Sequence, residues 1–421
     1  MNQDQLSALI GKARADGSDT LDLAKEDLEF LPPEIGSLVD LVELDLSGNR
    51  LSKLPPEIGN LTRLARLNVR NNQLTALAPE IENLVNLKGL FLQENQLTEL
   101  PPQLGSLKGL GRLNSSNNHL KQLPSEIGNL TSLTWLYLAD NELIELPAEI
   151  GDLTSLKDCY LQGNRLESLP ASIGNLIGLT ELQLDNNQLD RLPPGIGSLA
   201  NLNVLYLRGN NLTGLPPEIG GLTGLTWLYL GGNALAVLPS EIGYLTGLSG
   251  LYLENNQLTG LPTEIGNLIN LVWLYLEGNR FSKLPAGVQH LTNLIQLSLR
   301  SNSLTELSAD IRGLTALVFL DLANNKLASL PPEMGNLTAL NELHLNGNQL
   351  RSLPTEIGDL VELIDCFVSN NRLTSVPGAM ANMTSLERLF LSDNLLTELP
   401  SEMDDLISRE IVLLTGNPLS D

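Results

Sequence analysis

Apolar and polar residues alternate over short stretches of this chain, and the alternation returns at a constant interval. In LVELDL, from Leu41, the side chains of Leu44 and Leu46 point to one side of an extended strand and those of Glu43, Asp45 and Ser47 to the other, because successive strand residues project to opposite faces. An asparagine follows, then LSKLPPEIGNL, whose apolar residues return the chain to the interior. Shifted by 23 residues, the phrase recurs from Leu64, Leu87, Leu110 and Leu133 onward. The repeat reads L-x-x-L-x-L-x-x-N-x-L-x-x-L-P-x-x-I-x-x-L. Asparagine takes its place seventeen times, from Asn49 through Asn417, with no insertion or deletion. A degenerate first turn, LDLAKEDL at 21–28, carries Glu26 in the asparagine place.

Each part of the phrase has a physical role. The asparagine lies just past the strand, where the chain turns inward. Its amide donates and accepts, so a column of asparagines satisfies buried backbone groups of neighbouring coils. The prolines of LPPEIGNL open a short helical turn, where a missing N–H costs nothing. An acid follows them in twelve of seventeen coils, from Glu34 to Glu402, and favours the positive end of that turn. One repeat buries too little to order its own backbone, so coils must stack and the ends must be capped. Residues 1–17 carry an apolar helical stripe, Leu6, Leu9, Ile10 and Ala13, suited to lid the first coil. At the other end REIVLLTGNPLSD is a half-coil in which Arg409 replaces the opening leucine. It reads either as a polar cap or as the cut edge of a longer protein.

The spacing resembles the leucine-rich repeat family over residues 18–419, and the 23-residue LPPEIGNL form is similar to the intracellular Ras-group and Roco-like type. The resemblance implies an α/β solenoid, a curved horseshoe or arc. A parallel β-sheet would line its concave face and short helical turns its convex face, with residues 1–17 as a helical cap. It also implies protein binding without catalysis.

Composition narrows the partners. The net charge is −24, from 25 basic and 49 acidic residues, so a general field for nucleic acid or anionic lipid is absent. About a quarter of the acids have the structural role described above, so the charge does not by itself imply a basic partner. The N-terminus is too polar for a signal peptide, and no apolar run approaches a membrane span. Cys159 and Cys366 form no framework and fit a reducing, cytoplasmic setting. The sequons at Asn60, Asn129, Asn211 and Asn336 arise from the GNLT and NNLT phrases of the repeat.

Numbering each repeat from its opening leucine, offsets two, four and six face outward on the concave sheet. Trp135, Trp227, Trp273 and Phe319 stand at offset two. Nine further aromatics, with Tyr137, Tyr160, Tyr206, Tyr229, Tyr252 and Tyr275 among them, stand at offset four. Thirteen of sixteen aromatic residues thus share one exposed face. Phe30 and Phe281 are expected at core leucine positions, and Tyr244 on the convex side. With strands about 4.8 Å apart, Tyr206, Tyr229, Tyr252 and Tyr275 form a ladder flanked by Trp227 and Trp273. Cross-strand packing alone stabilises such rows; contiguous exposed aromatic surface also marks interaction sites. The charges grade from Arg66, Arg70, Lys88 and Arg112 to Glu254, Glu277 and Asp321.

Catalytic and metal chemistry is not indicated. His119, His290 and His344 lie in different coils, at different places in the repeat, and are expected on the surface. Cys159 and Cys366 occupy core leucine positions, and acid pairs such as Asp404–Asp405 are expected in loops. Gly11–Lys12 lacks the rest of a phosphate-binding loop. Ser115 replaces a core leucine, and LSADI at 307–311 loses the proline. The expectation is a cytoplasmic, non-enzymatic scaffold, without metal, cofactor, nucleic acid or membrane. It would bind a protein partner through Trp135, Tyr137, Tyr160, Tyr206, Trp227, Tyr229, Tyr252, Trp273 and Tyr275. Two alternatives stay open: carbohydrate or small-ligand recognition by the same rings, and a regulatory repeat region cut from a larger Roco-like GTPase.

Overall fold

The computed structural model describes residues 1–419. They fall into two compact units, one spanning Met1–Asn211 and the other beginning at Leu212.

The first unit opens with helix α1, Gln3–Asp16. Asn2 caps it by accepting from the Gln5 backbone N–H, Gln5 returns the bond, and Gly17 closes it at φ 60°. Such a reciprocal cap satisfies two of the free donors at a helix start. Leu6, Ile10 and Ala13 are buried; Leu9 is half-buried. Three-residue strands follow: β1 Thr20–Asp22, β2 Glu43–Asp45, β3 Arg66–Asn68, β4 Gly89–Phe91, β5 Arg112–Asn114, β6 Trp135–Tyr137, β7 Asp158–Tyr160, β8 Glu181–Gln183 and β9 Val204–Tyr206. Each pairs in parallel with the next, in a register that sets every residue beside its counterpart one repeat away, such as Leu113 beside Leu136.

The second unit repeats the plan with β10 Trp227–Tyr229, β11 Gly250–Tyr252, β12 Trp273–Tyr275, β13 Gln296–Ser298, β14 Phe319–Asp321, β15 Glu342–His344, β16 Asp365–Phe367, β17 Arg388–Phe390 and β18 Val412–Leu413. These too run parallel and in register. In both units the expected parallel sheet and helical turns are present, and the turns from β1 through β17 are 3-10 rather than α-helical, as in Pro56–Asn60 and Thr263–Asn267. In these short turns the tighter i→i−3 bond closes the chain, as where the Ile58 N–H donates to the Pro55 carbonyl at 3.0 Å. Ile58 and Ile265 are their buried anchors. Where the proline is missing, Ser308 caps the turn, its hydroxyl accepting from the Asp310 N–H at 3.2 Å.

The asparagine column does what its chemistry allows. In the first unit Asn118 Oδ1 accepts from the Leu97 N–H at 2.9 Å, and Nδ2 donates to the Leu92 and Ser115 carbonyls, both at 3.1 Å. The column residues are buried except Asn233 and Asn417, which are half-buried. The residue before each asparagine turns the chain left-handed, from Gly48 at φ 69° to Asp393 at φ 55°. That requirement explains the recurring GN, NN and DN pairs, because Gly, Asn and Asp enter this region most readily.

Four expectations need correction. Phe30 is 44% exposed; Leu28 and Leu31 on either side take the core places. Asp404–Asp405 open a short helix, α2, Asp404–Ser408. His344 is half-buried between aromatic rings, as described below. The thirteen aromatics do not stand open: all are half-buried. Phe281, Cys159 and Cys366 are buried as expected. Burial, and then the adjacent Asp158 and Asp365, push the two thiols up to about 12, so they are unreactive at neutral pH. Arg409 donates through Nη2 to the Leu386 carbonyl at 2.7 Å.

Ser115 is fully buried at a leucine place, and its hydroxyl has no partner. Ser115→Leu is therefore expected to stabilise the chain by about 1–2 kcal/mol, since it removes an unpaired buried hydroxyl and adds apolar burial. Urea denaturation checks this; a lower midpoint for the variant would mean the site has closed around serine.

Candidate functional site

On β1 through β17 the offset-three residue enters the core, so offsets two and four face the opposite way, onto the open face of the sheet. In the first unit this face carries Trp135 and Tyr137 on β6, Tyr160 on β7 and Tyr206 on β9, all half-buried. The Trp135 and Tyr137 rings are 6.3 Å apart and nearly parallel, and Tyr137 stacks on Tyr160 at 4.5 Å. Gln183 stands between Tyr160 and Tyr206 in the register. Arg112, on β5, lays its guanidinium 3.7 Å from the Trp135 ring centroid. Arg66 lies over Phe91 at 5.2 Å.

In the second unit Tyr229, Tyr252 and Tyr275 occupy matching places on β10, β11 and β12. Their rings stack at 4.5 and 5.0 Å. Tyr206, the fourth tyrosine of the expected ladder, belongs to the first unit. Trp227 and Trp273 belong to strands two apart, whose backbones are separated by about 9.6 Å. Yet their ring centroids are 5.1 Å apart. Gly250 makes this possible. A Cβ there would lie 2.5 Å from Cε3 of Trp227, so only glycine leaves the floor open for the two indoles to close over it. Trp227 also contacts Tyr229 at 6.4 Å and Tyr252 at 6.3 Å. Five rings from three strands form one plateau. Tyr275 donates its hydroxyl to Gln296 Oε1. Gly250 was missed by reading for aromatics; the signal was a glycine inside a strand, which marks a close approach.

A second row lies further along the same unit: Phe319, His344, Phe367 and Phe390, at successive distances of 5.4, 4.4 and 4.7 Å. His344 Nε2 is 2.6 Å from Glu342 Oε1, and Arg388 grips Asp365 with two donors.

The phenols of Tyr137, Tyr160 and Tyr275 are held in their protonated form. Burial first, then Asp158 and Glu181, raise Tyr137; burial and then Glu181 raise Tyr160 well above the ordinary range. Burial, Glu277 and Glu254 raise Tyr275. Two carboxyls of the same face are lifted as well: Glu277 by burial and by Glu254, Asp158 by burial and by Glu181. The face therefore offers flat apolar rings with neutral hydroxyl donors. Among the described residues no group of three or more His, Cys, Asp or Glu could hold a metal ion, and no helix is long and apolar enough to cross a membrane.

The leucine-rich repeat region model matches residues 75–168 and 302–406, the leucine rich repeat model 177–235, 224–281 and 269–327, and the two-copy repeat model 39–83. No curated protein matches the chain. Among solved structures, a leucine-rich-repeat protein of Leptospira interrogans is 37% identical, covers 96% of this chain and 97% of its own, and has a TM-score of 0.77. The plant peptide hormone receptor RGFR1, in complex with RGF2, is 30% identical over 93% of this chain and 73% of its own, with a TM-score of 0.75. A TDR receptor is 28% identical over 98% and 78%, with a TM-score of 0.77. On the repeat, its asparagine column and these matches together, the chain belongs to the leucine-rich repeat family.

Proposed function

We propose that this chain is a non-enzymatic scaffold that binds a protein partner on the aromatic face of its sheets. Trp135, Tyr137, Tyr160 and Tyr206 would carry the contact in one unit, and Trp227, Tyr229, Tyr252, Trp273 and Tyr275 in the other. The observation that carries the reading is the closure of Trp227 and Trp273 over Gly250. Strand packing needs only neighbouring rings; a glycine that draws in rings from alternate strands builds a wide flat surface. Rings already stacked lose little freedom on binding, and Trp and Tyr are the usual anchors of interfaces. The peptide-hormone complex of a similar structure supports the same use of the fold. We further read residues 1–17 as a cap on the repeat array of 18–419. The chain fits the cytoplasmic, 23-residue Ras-group or Roco-like type, a reading supported by the 23-residue LPPEIGNL phrase and by two buried free thiols.

The test is affinity capture by the wild-type chain and by a variant carrying Trp227→Ala, Tyr229→Ala, Tyr252→Ala and Trp273→Ala, with thermal unfolding followed in parallel. A protein retained by the wild type and lost by the folded variant supports the reading. Equal retention by both assigns the rings to strand packing alone.

A further inference from the structure

The sheet of the first unit has a second feature that the aromatic plateau does not use. Between β3 and β5 the open face dips into a notch of about 440 Å³, lined by Arg66, Lys88, Gly89, Phe91, Gly111 and Arg112, with Glu43 at one edge. Gly89 supplies the depth: it stands at offset two between the two arginines in the register, and the edge of the Phe91 ring lies beside it. Arg66, Lys88 and Arg112 are exposed.

The arginines are posed in an unusual way for so acidic a chain. Arg66 stands directly opposite Glu43 in the strand pairing, yet its guanidinium turns away and lies over Phe91. Arg112 lies over Trp135. Among the described residues neither arginine has a carboxylate within ion-pair distance, whereas Arg50, Arg63 and Arg388 do. A guanidinium held over a ring is attracted by the ring face and spends none of its hydrogen bonds there. Its N–H groups lie in the plane and remain available in the fork that matches a carboxylate. The notch thus presents two unpaired guanidinium groups, each over a ring, on either side of a glycine floor, in a protein whose net charge is −24.

We propose that this notch binds an acidic segment of the protein partner, with Asp or Glu carboxylates taken by Arg66 and Arg112 over the Gly89 floor. The proposal rests on the reading of the chain as a protein-binding scaffold and gives its partner a chemistry. It also gives the encounter a direction. The overall charge repels an acidic segment at long range, so only a local basic site would hold one.

The test is a selection of displayed random dodecapeptides on the immobilised full chain. The enriched peptides are then synthesised with a fluorescent label and titrated by anisotropy. The expected result is a pool with clustered Asp and Glu. Its affinity should fall at least about tenfold in the double variant Arg66→Glu, Arg112→Glu, because each exposed ion pair contributes up to about fivefold and reversal adds repulsion. Raising the ionic strength from about 0.1 M to about 1 M, which shortens the screening length from roughly 10 to 3 Å, should weaken it as well. Arg66→Lys with Arg112→Lys keeps the charge and loses the forks, and should give an intermediate loss. Circular dichroism confirms that each variant is folded. A pool without acidic bias, or acidic peptides indifferent to the reversal, overturns the proposal. So does a folded wild type that takes a sulfated polysaccharide in the notch but enriches no acidic peptide. The Trp227→Ala, Trp273→Ala variant separates the two readings. Acidic peptides that survive it and fail on arginine reversal support the notch whatever becomes of the plateau. Peptides lost with the tryptophans and kept after reversal sink the notch and leave the plateau standing.

Discussion

Asn279→Ala is expected to lower the unfolding free energy by about 2–6 kcal/mol: it leaves the buried Leu258 N–H without its partner, at about 1–3 kcal/mol, and removes one of two asparagine bonds at each of the Leu253 and Leu276 carbonyls, which Asn256 and Asn302 also hold, at about 0.5–1.5 kcal/mol each. The Asn279 side chain accepts from the Leu258 N–H at 3.0 Å and donates to the carbonyls of Leu253 at 2.8 Å and Leu276 at 3.0 Å. It is 7% exposed, so water cannot replace those bonds. Asn293 is the matched control. It makes a similar bond to the Ile269 carbonyl at 2.8 Å, but at an exposed site. Asn293→Ala should cost less than about 1 kcal/mol, because solvent takes over the carbonyl. Urea titration measures both. Contacts in a repeat array are local, so amide exchange at Leu258 should also accelerate in the first variant and not in the second. Equal losses at the two positions would show that the column is no more than a row of polar residues.

Gly250→Val is expected to cost about 2–3 kcal/mol through overpacking and, more visibly, to break the plateau. The new Cβ would meet Trp227 Cε3 and Cζ3 at 2.5 and 2.6 Å and Tyr252 Cε2 at 3.0 Å. The backbone is tied into the sheet on both sides, so the rings must yield. Trp227 and Trp273 should separate, and the near-ultraviolet circular dichroism of the coupled indoles should fall. Gly260→Val is the control, because a Cβ there meets nothing within 4 Å; it should leave the indole signal intact. If Gly250→Val keeps the signal, the tryptophans are not joined over that glycine.

The misplacements along the chain share one cause. Phe30 lies in the degenerate first turn, where LEFLPPEI offers two apolar neighbours for one core place, and the frame alone puts Leu31 there. His344 looked like a surface residue by type. Its ring stacks on Phe367 and tilts against Phe319, and these contacts hold it half-buried. The aromatics were legible as a face and not as a packed surface, because strand alternation says which side a residue takes and nothing of where its ring then leans.

The sequence by itself determined the repeat, the parallel strands, the asparagine column and the side on which every strand aromatic lies. Each of these depends on neighbours one coil away, and a strict 23-residue period places every neighbour in advance. Only the tertiary structure decided what the side chains of the open face do with their freedom. Trp227 reaches past β11 to Trp273. Arg66 leaves Glu43 for Phe91, and Arg112 covers Trp135. Backbone hydrogen bonds set the first group; the second follows from shape and ring contact among long side chains, where the absence of a single Cβ at Gly250 or Gly89 redirects all its neighbours.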